Sequence, residues 1–181
     1  MNETEIKSLV YDFYPRNLTS YDEGYYESKE YLLRKQYCSQ ARSDNKRWED
    51  FKGQFPELKI NLFDGQTANY SFLGSVPSYE FAFSIRPEGY PNKWVVISIF
   101  VSVIAKYWSY HIADIFLDKQ PEIRYNLVYK EEKDCILKTG NLIEINFLEY
   151  QMLTPDIHQM VIDDIATDFT ESPTIFQALF Y

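Results

Sequence analysis

The sequence predicts an α+β fold, and three features carry that prediction. Apolar residues recur every three or four positions up to Phe55, alternate with a period of two after Pro56, and return to helical spacing from Glu131. These periods order the chain as N-terminal helices packed on a central antiparallel β-meander, followed by a C-terminal helix and an acidic tail. At 181 residues, a single globular domain over 1–181 can bury roughly 70% of the surface its unfolded chain exposes. Aromatics supply 18% of positions while Gly and Pro together supply 14 residues, which favours a packed core over disorder.

The first helix is capped by Asn2 with Glu5 three residues on. It carries Ile6, Leu9, Val10 and Phe13 on one face and stops before Pro15. A second helix is expected over residues 22–42, with Ser20 and Glu23 as its capping box and Tyr26, Leu33 and Tyr37 sharing a face. A third is expected over 44–55, where Trp48, Phe51 and Phe55 form a stripe that reads as core and Pro56 ends the run.

Strands follow. "LKINLF" places Leu58, Ile60 and Leu62 on one side, and "SYEFAFSIR" does the same for Tyr79, Phe81, Phe83 and Ile85. "PEGYPN", residues 87–92, is a turn into an antiparallel partner. That partner lies in "WVVISIFVSVIAKYWSYHIADIF", residues 94–116. A membrane span is disfavoured there, because Lys106, His111 and Asp114 would sit inside it and a central Lys costs roughly 2.5–3.5 kcal/mol on insertion scales. Val95, Ile97, Ile99, Val101 and Val103 take odd positions, whereas Trp108, Tyr110 and Ile112 take even ones. The change of parity requires a β-bulge or a break at 105–107, since one straight strand would reach about 75 Å. A further strand is expected at "IRYNLVY" from the alternation of Ile123, Tyr125, Leu127 and Tyr129, then a helix over 131–145 that Gly140 weakens, then short elements after Pro155.

Charge is unevenly placed along a chain of net charge −9. No Lys or Arg occurs from Thr139 to Tyr181, a segment holding Glu144, Glu149, Asp156, Asp163, Asp164, Asp168 and Glu171. Such an end repels nucleic-acid phosphates and steers a basic protein partner, unless it is a solvated surface that serves only solubility. The N-terminus has no basic segment followed by an apolar one, which makes the cytoplasm the expected compartment. Cys38 and Cys135 stand in no metal-ligand spacing and read as thiols in a reducing environment.

Catalytic signatures are missing: neither His111 nor His158 lies in HExxH, and neither a GxSxG elbow nor a glycine-rich phosphate loop occurs. Asp156, His158, Asp163 and Asp164 have the donor types of a divalent-metal site without a recognised spacing. Ser109, His111 and Asp114 have the types of a triad, but strand alternation points Asp114 away from the other two. The carboxylate pairs Glu131/Glu132 and Asp163/Asp164 are consistent with solvated charge. The basic cluster Arg34, Lys35, Arg42, Lys46 and Arg47 reads as a solvated helix face rather than a nucleic-acid surface.

Four segments, "DFYPRNLTSYDEGYYESKEYLLRKQ", "VVISIFVSVIAKYWSYH", "LTPDIH" and "SPTIFQALF", together resemble a group of small bacterial proteins encoded beside polymorphic toxins, the immunity proteins. The chain departs from the expected pattern at Thr154, where an aliphatic residue is usual, and at Gln177, where Asp is expected. The resemblance implies an immunity protein that neutralises a cognate toxin through a stoichiometric complex; the acidic charge points to a basic nuclease as that toxin, and the sequence itself leads us to expect no cofactor, nucleic acid or membrane as partner. Asp156, Asp163, Asp164, Asp168 and Glu171, with exposed Tyr or Trp, are the expected contacts. The competing readings are a metal-dependent hydrolase built on the 156–164 cluster and a structural subunit of an obligate oligomer.

Overall fold

The computed structural model describes residues 3–44, 46–54, 61–63, 76–116 and 120–181, with backbone alone at 61–63. In chain order the elements are α1 (Glu3–Tyr11), α2 (Lys29–Ser43), α3 (Lys46–Lys52), β1 (Asn61–Phe63), β2 (Ser78–Ile85), β3 (Lys93–Ser102), β4 (Tyr107–Phe116), β5 (Glu122–Arg124), α4 (Lys130–Asn146), β6 (Gln151–Met152), α5 (Pro155–His158) and α6 (Ile175–Phe180). The α+β expectation holds. Strands β1 to β5 form an antiparallel meander in chain order, and β6 adds to β4 in parallel.

The apolar stretch at 94–116 is a hairpin of β3 and β4. Val95 faces Asp114 and Val101 faces Trp108, so odd positions of β3 share a sheet face with even positions of β4. The change of parity comes from the reversal of the chain through 103–106, with no bulge needed. Among the described residues, no helix is long and apolar enough to cross a membrane.

Both sheet faces are covered. On one, Val95, Ile97, Ile99, Trp108 and Ile112 pack with Phe81 and Phe83 beneath α3 and α4. On the other, Phe100 and Tyr107 meet α1, α6 and the C-terminal residues Leu153, Ile162, Ile165 and Leu179. Double coverage explains why β3 is apolar at consecutive positions over Ile99–Val101. The last thirty or so residues, expected as short elements in an acidic tail, also supply half of the second core.

Helix α1 buries Ile6 and Val10, and α3 buries Trp48 and Phe51. Asn2, Phe55, Leu58 and Ile60 lie outside the described residues, as does the Leu62 side chain. Helix α2 starts seven residues later than expected. Ser28, not Ser20, caps it, its Oγ accepting from Tyr31 N–H at 3.1 Å. Its buried face carries Arg34 and Cys38 in place of Tyr26, Leu33 and Tyr37, which are exposed.

Strand β5 stops at Arg124, short of the expected Tyr129. The N–H groups of Val128 and Tyr129 donate to the Glu132 carboxylate at 2.7 and 3.0 Å, which starts α4 there instead of extending the ladder. Helix α4 runs unbroken through Gly140, where a Cβ would lie 2.8 Å from Trp108 Cζ2. The residue that weakens the helix by propensity is the one that lets it lie on the sheet.

Candidate functional site

Two of the five expected contact carboxylates are taken up inside the fold. Asp164 accepts from Arg16 Nε at 2.6 Å and Tyr11 Oη at 2.9 Å. Burial works to raise its pKa, but these two donors hold the carboxyl below its ordinary value. Asp168 accepts from Arg34, whose guanidinium is buried at 1% exposure and is therefore not part of a solvated basic face. Lys35, Arg42, Lys46 and Arg47 are exposed, as are Asp156, Asp163 and Glu171.

The segment expected to begin α2 forms instead a rigid turn beside these carboxylates. Asn17 takes a positive φ of 56° and donates its N–H to Asp164 O at 2.6 Å. Asp22 accepts from both Thr19 N–H and Thr19 Oγ1, which hold its carboxyl below the ordinary range. Tyr25 is fully buried and donates to Ala166 O at 2.9 Å. With the turn anchored in this way, Tyr21 is 89% exposed and Tyr26 46%, flanked by exposed Asp22, Glu23 and Glu27.

Opposite this turn, residues 165–172 close a hairpin through Ser172 N–H to Ile165 O at 3.1 Å and Thr167 N–H to Thr170 O at 2.9 Å. Thr167 Oγ1 accepts from the N–H groups of Phe169 and Thr170, an ST-turn that leaves the Phe169 ring exposed at the tip. The bonds Tyr25–Ala166 and Arg34–Asp168 tie turn and hairpin into one acidic, aromatic surface. The sequence contained this surface in "SYDEGYYE", but the Ser20/Glu23 capping-box pattern and the good helix formers that follow in "ESKEYLLRKQY" outweighed the turn signals of Gly24 and the Thr19–Asp22 spacing.

The other expected groupings come apart. His158 is fully buried, its Nε2 bonding Leu153 O at 2.8 Å and Ser109 Oγ, while Asp156 faces solvent and Asp164 is held by Arg16. Among the described residues no three His, Cys, Asp or Glu side chains gather as a metal site. Ser109 meets His158 rather than His111, and Asp114 lies on the opposite sheet face between Lys93 and Arg124. Glu132, expected in solvent with Glu131, is fully buried against Arg124. Both cysteines are buried thiols outside any disulfide, and burial pushes them up to about 11 for Cys38 and about 12 for Cys135.

A pocket of about 510 Å³ opens along the outer edge of β4. That edge is shared: β6 pairs at Tyr107 and Trp108, and β5 at Ile112–Asp114. Neither strand reaches 109–111. His111, Tyr125, Gln159, Phe176 and Tyr181 line the space, with Phe169 from the hairpin at its rim. The two departures from the immunity-protein pattern serve as caps nearby: Thr154 is the N-cap of α5, and the Gln177 side chain accepts from Thr174 N–H at 2.8 Å at the start of α6.

No protein-family model, curated protein or solved structure matches this chain. The class defined by fold and surface is that of an α+β protein presenting a tyrosine-rich acidic face.

Proposed function

We propose that this chain is a cytoplasmic, non-catalytic binding protein of the immunity class, which neutralises a basic toxin partner by stoichiometric complex formation. One observation carries the reading. Tyr21 and Tyr26 stand exposed among carboxylates on a backbone pinned by Tyr25 and Arg34. Rigid aromatic anchors bring contact area at little cost in conformational entropy, and a ring of charge speeds encounter. The segment bearing Tyr21 and Tyr26 is also part of the resemblance to immunity proteins.

The working contact set is Tyr21, Glu23, Tyr26, Glu27, Asp163 and Glu171. Asp164 and Asp168 leave it, because each is already engaged within the fold, by Arg16 and Arg34 respectively. Asp156 is exposed on α5 and remains a peripheral candidate.

Affinity capture with the product of the neighbouring gene, followed by titration, tests the reading. We expect a one-to-one endpoint at which the partner's activity is lost, and a complex that weakens as salt rises. The double reversal Glu23→Lys and Glu171→Lys should weaken it at least about tenfold, or about 1.4 kcal/mol. Undiminished binding by a folded double reversal would remove this face from the interface.

A further inference from the structure

We propose that the pocket on the edge of β4 binds a neutral, planar nitrogen heterocycle of one or two rings. Its volume of about 510 Å³ lies inside the range of roughly 300–1,000 Å³ that small-molecule sites occupy. The lips are exposed apolar side chains from two separate elements, Ile123 of β5 and Phe169 of the hairpin, each 56% exposed.

Aromatic rings form the walls. Phe176 stands edge-on to Tyr125 with centroids 5.9 Å apart and lies 5.5 Å from Tyr181. Such walls suit a flat ring, by stacking on one face and edge contact on another. Behind them the His158 ring packs edge-on to Tyr125 at 5.1 Å and against Phe176 at 5.0 Å, which fixes the wall in place.

The polar groups choose the chemistry. Among the described residues no Lys, Arg, Asp or Glu side chain lines the space, and burial pushes His111 down to about 4, so at neutral pH its imidazole is uncharged; its Nδ1 lies 3.5 Å from Tyr181 Oη, which leaves Nε2 to meet a ligand. Gln159 offers both a donor and an acceptor. Gln177 has its carbonyl committed to Thr174 N–H and presents its amide N–H groups. A ligand carrying adjacent ring-nitrogen acceptors and N–H donors fits that mixture. A phosphorylated one does not: the described lining residues include no cation, and Glu171 adjoins the Thr170 wall.

The experiment is a titration of the ¹⁵N-labelled whole chain with adenine, uracil and adenosine monophosphate, read at the His111 imidazole by NMR. This requires no partner protein, so its result is separable from that of toxin neutralisation. We expect a saturable His111 shift with at least one free base, and adenosine monophosphate at least about tenfold weaker, since its phosphate would meet no cation among the described lining residues. Phe169→Ala, an exposed position that leaves the fold intact, should weaken the base at least about threefold through lost ring contact. The proposal fails if neither base shifts His111, if the phosphorylated ligand binds as well as the free base, or if Phe169→Ala binds unchanged.

Discussion

The Arg34 guanidinium closes on Asp168, 134 positions further along the chain, with Nη2 3.2 and 3.1 Å from the two carboxylate oxygens. Tyr14 and Tyr31 flank the cation at 4.3 and 5.1 Å. This contact does for α2 what an apolar stripe does for most helices. It also joins the tyrosine-bearing turn to the hairpin, so the proposed partner surface depends on a buried ion pair.

Removing the two partners should therefore have unequal consequences. Asp168→Ala leaves a buried guanidinium uncompensated and should lower stability by about 3–5 kcal/mol, whereas Arg34→Met replaces the stem with apolar bulk and should cost clearly less. Urea denaturation at neutral pH measures both. Equal losses would mean that packing, not charge compensation, dominates at this site.

Gly140→Ala reverses the usual effect of that substitution in a helix. Propensity alone favours Ala by about 1 kcal/mol, but the new methyl would meet Trp108 at 2.8 and 3.0 Å, and overpacking of this kind costs about 1–3 kcal/mol. A net loss in denaturation midpoint is expected. A gain would show that α4 can lift from the sheet without penalty.

Local periodicity made much of this fold legible. The alternation of Phe81 with Phe83 and of Val95 with Ile97 and Ile99 gave the strands, and the change of parity at Lys106 marked the break, although it read equally as a bulge and did not reveal that the chain reverses there. The missed features are those in which a polar group does a structural job at long range. Arg34 resembled surface charge because its partner lies 134 positions away, and Asp164 and Asp168 resembled free contacts for the same reason. Strand β5 was overextended because the alternation of Tyr125, Leu127 and Tyr129 does not reveal that Glu132 captures the Val128 and Tyr129 N–H groups. At the candidate site, the carboxylates could be read from composition, but the exposure of Tyr21 depends on Tyr25 being buried against Ala166.

A second ionic network sets the response to acid and base. Asp114 accepts from Arg124 Nη2 at 2.9 Å and from Lys93 Nζ at 2.8 Å. Burial alone would raise its pKa, but the two cations hold it below its ordinary value. Its stabilisation is thus present above the unfolded pKa of about 3.9 and lost as pH falls through the lower folded value. Burial works against the Lys93 charge, yet Asp114 and Tyr129 keep its pKa raised, so its contribution is complete below about 10.4 and lost as pH rises through the folded value. Asp114→Asn should destabilise by about 3–5 kcal/mol at neutral pH, leaving two cations poorly matched, and flatten the stability profile below about pH 4. An unchanged acid limb in that variant would assign the limb to other carboxylates.

Between these extremes the histidines should govern stability. The Leu153 carbonyl can only accept, so His158 Nε2 carries the hydrogen at 2.8 Å, and Nδ1 is left as a buried acceptor with no partner among the described residues. Burial pushes the imidazole down to about 4, the Leu153 bond opposing, and burial does the same to His111. With folded values below the unfolded 6.5, the unfolded chain takes up protons first as pH falls. Stability is therefore complete above about 6.5 and declines toward 4, by about 2 kcal/mol per histidine between pH 7 and pH 5. This interval lies above the range in which Asp114 acts, so the two effects separate on one profile. His158→Gln should lower stability at pH 7, where it disturbs the Ser109 and Leu153 contacts, and yet lose less than the wild type on moving to pH 5. If the wild type were equally stable at both pH values, the imidazoles would have to accept protons within the folded state, and the neutral wall behind the β4 pocket would become a charged one.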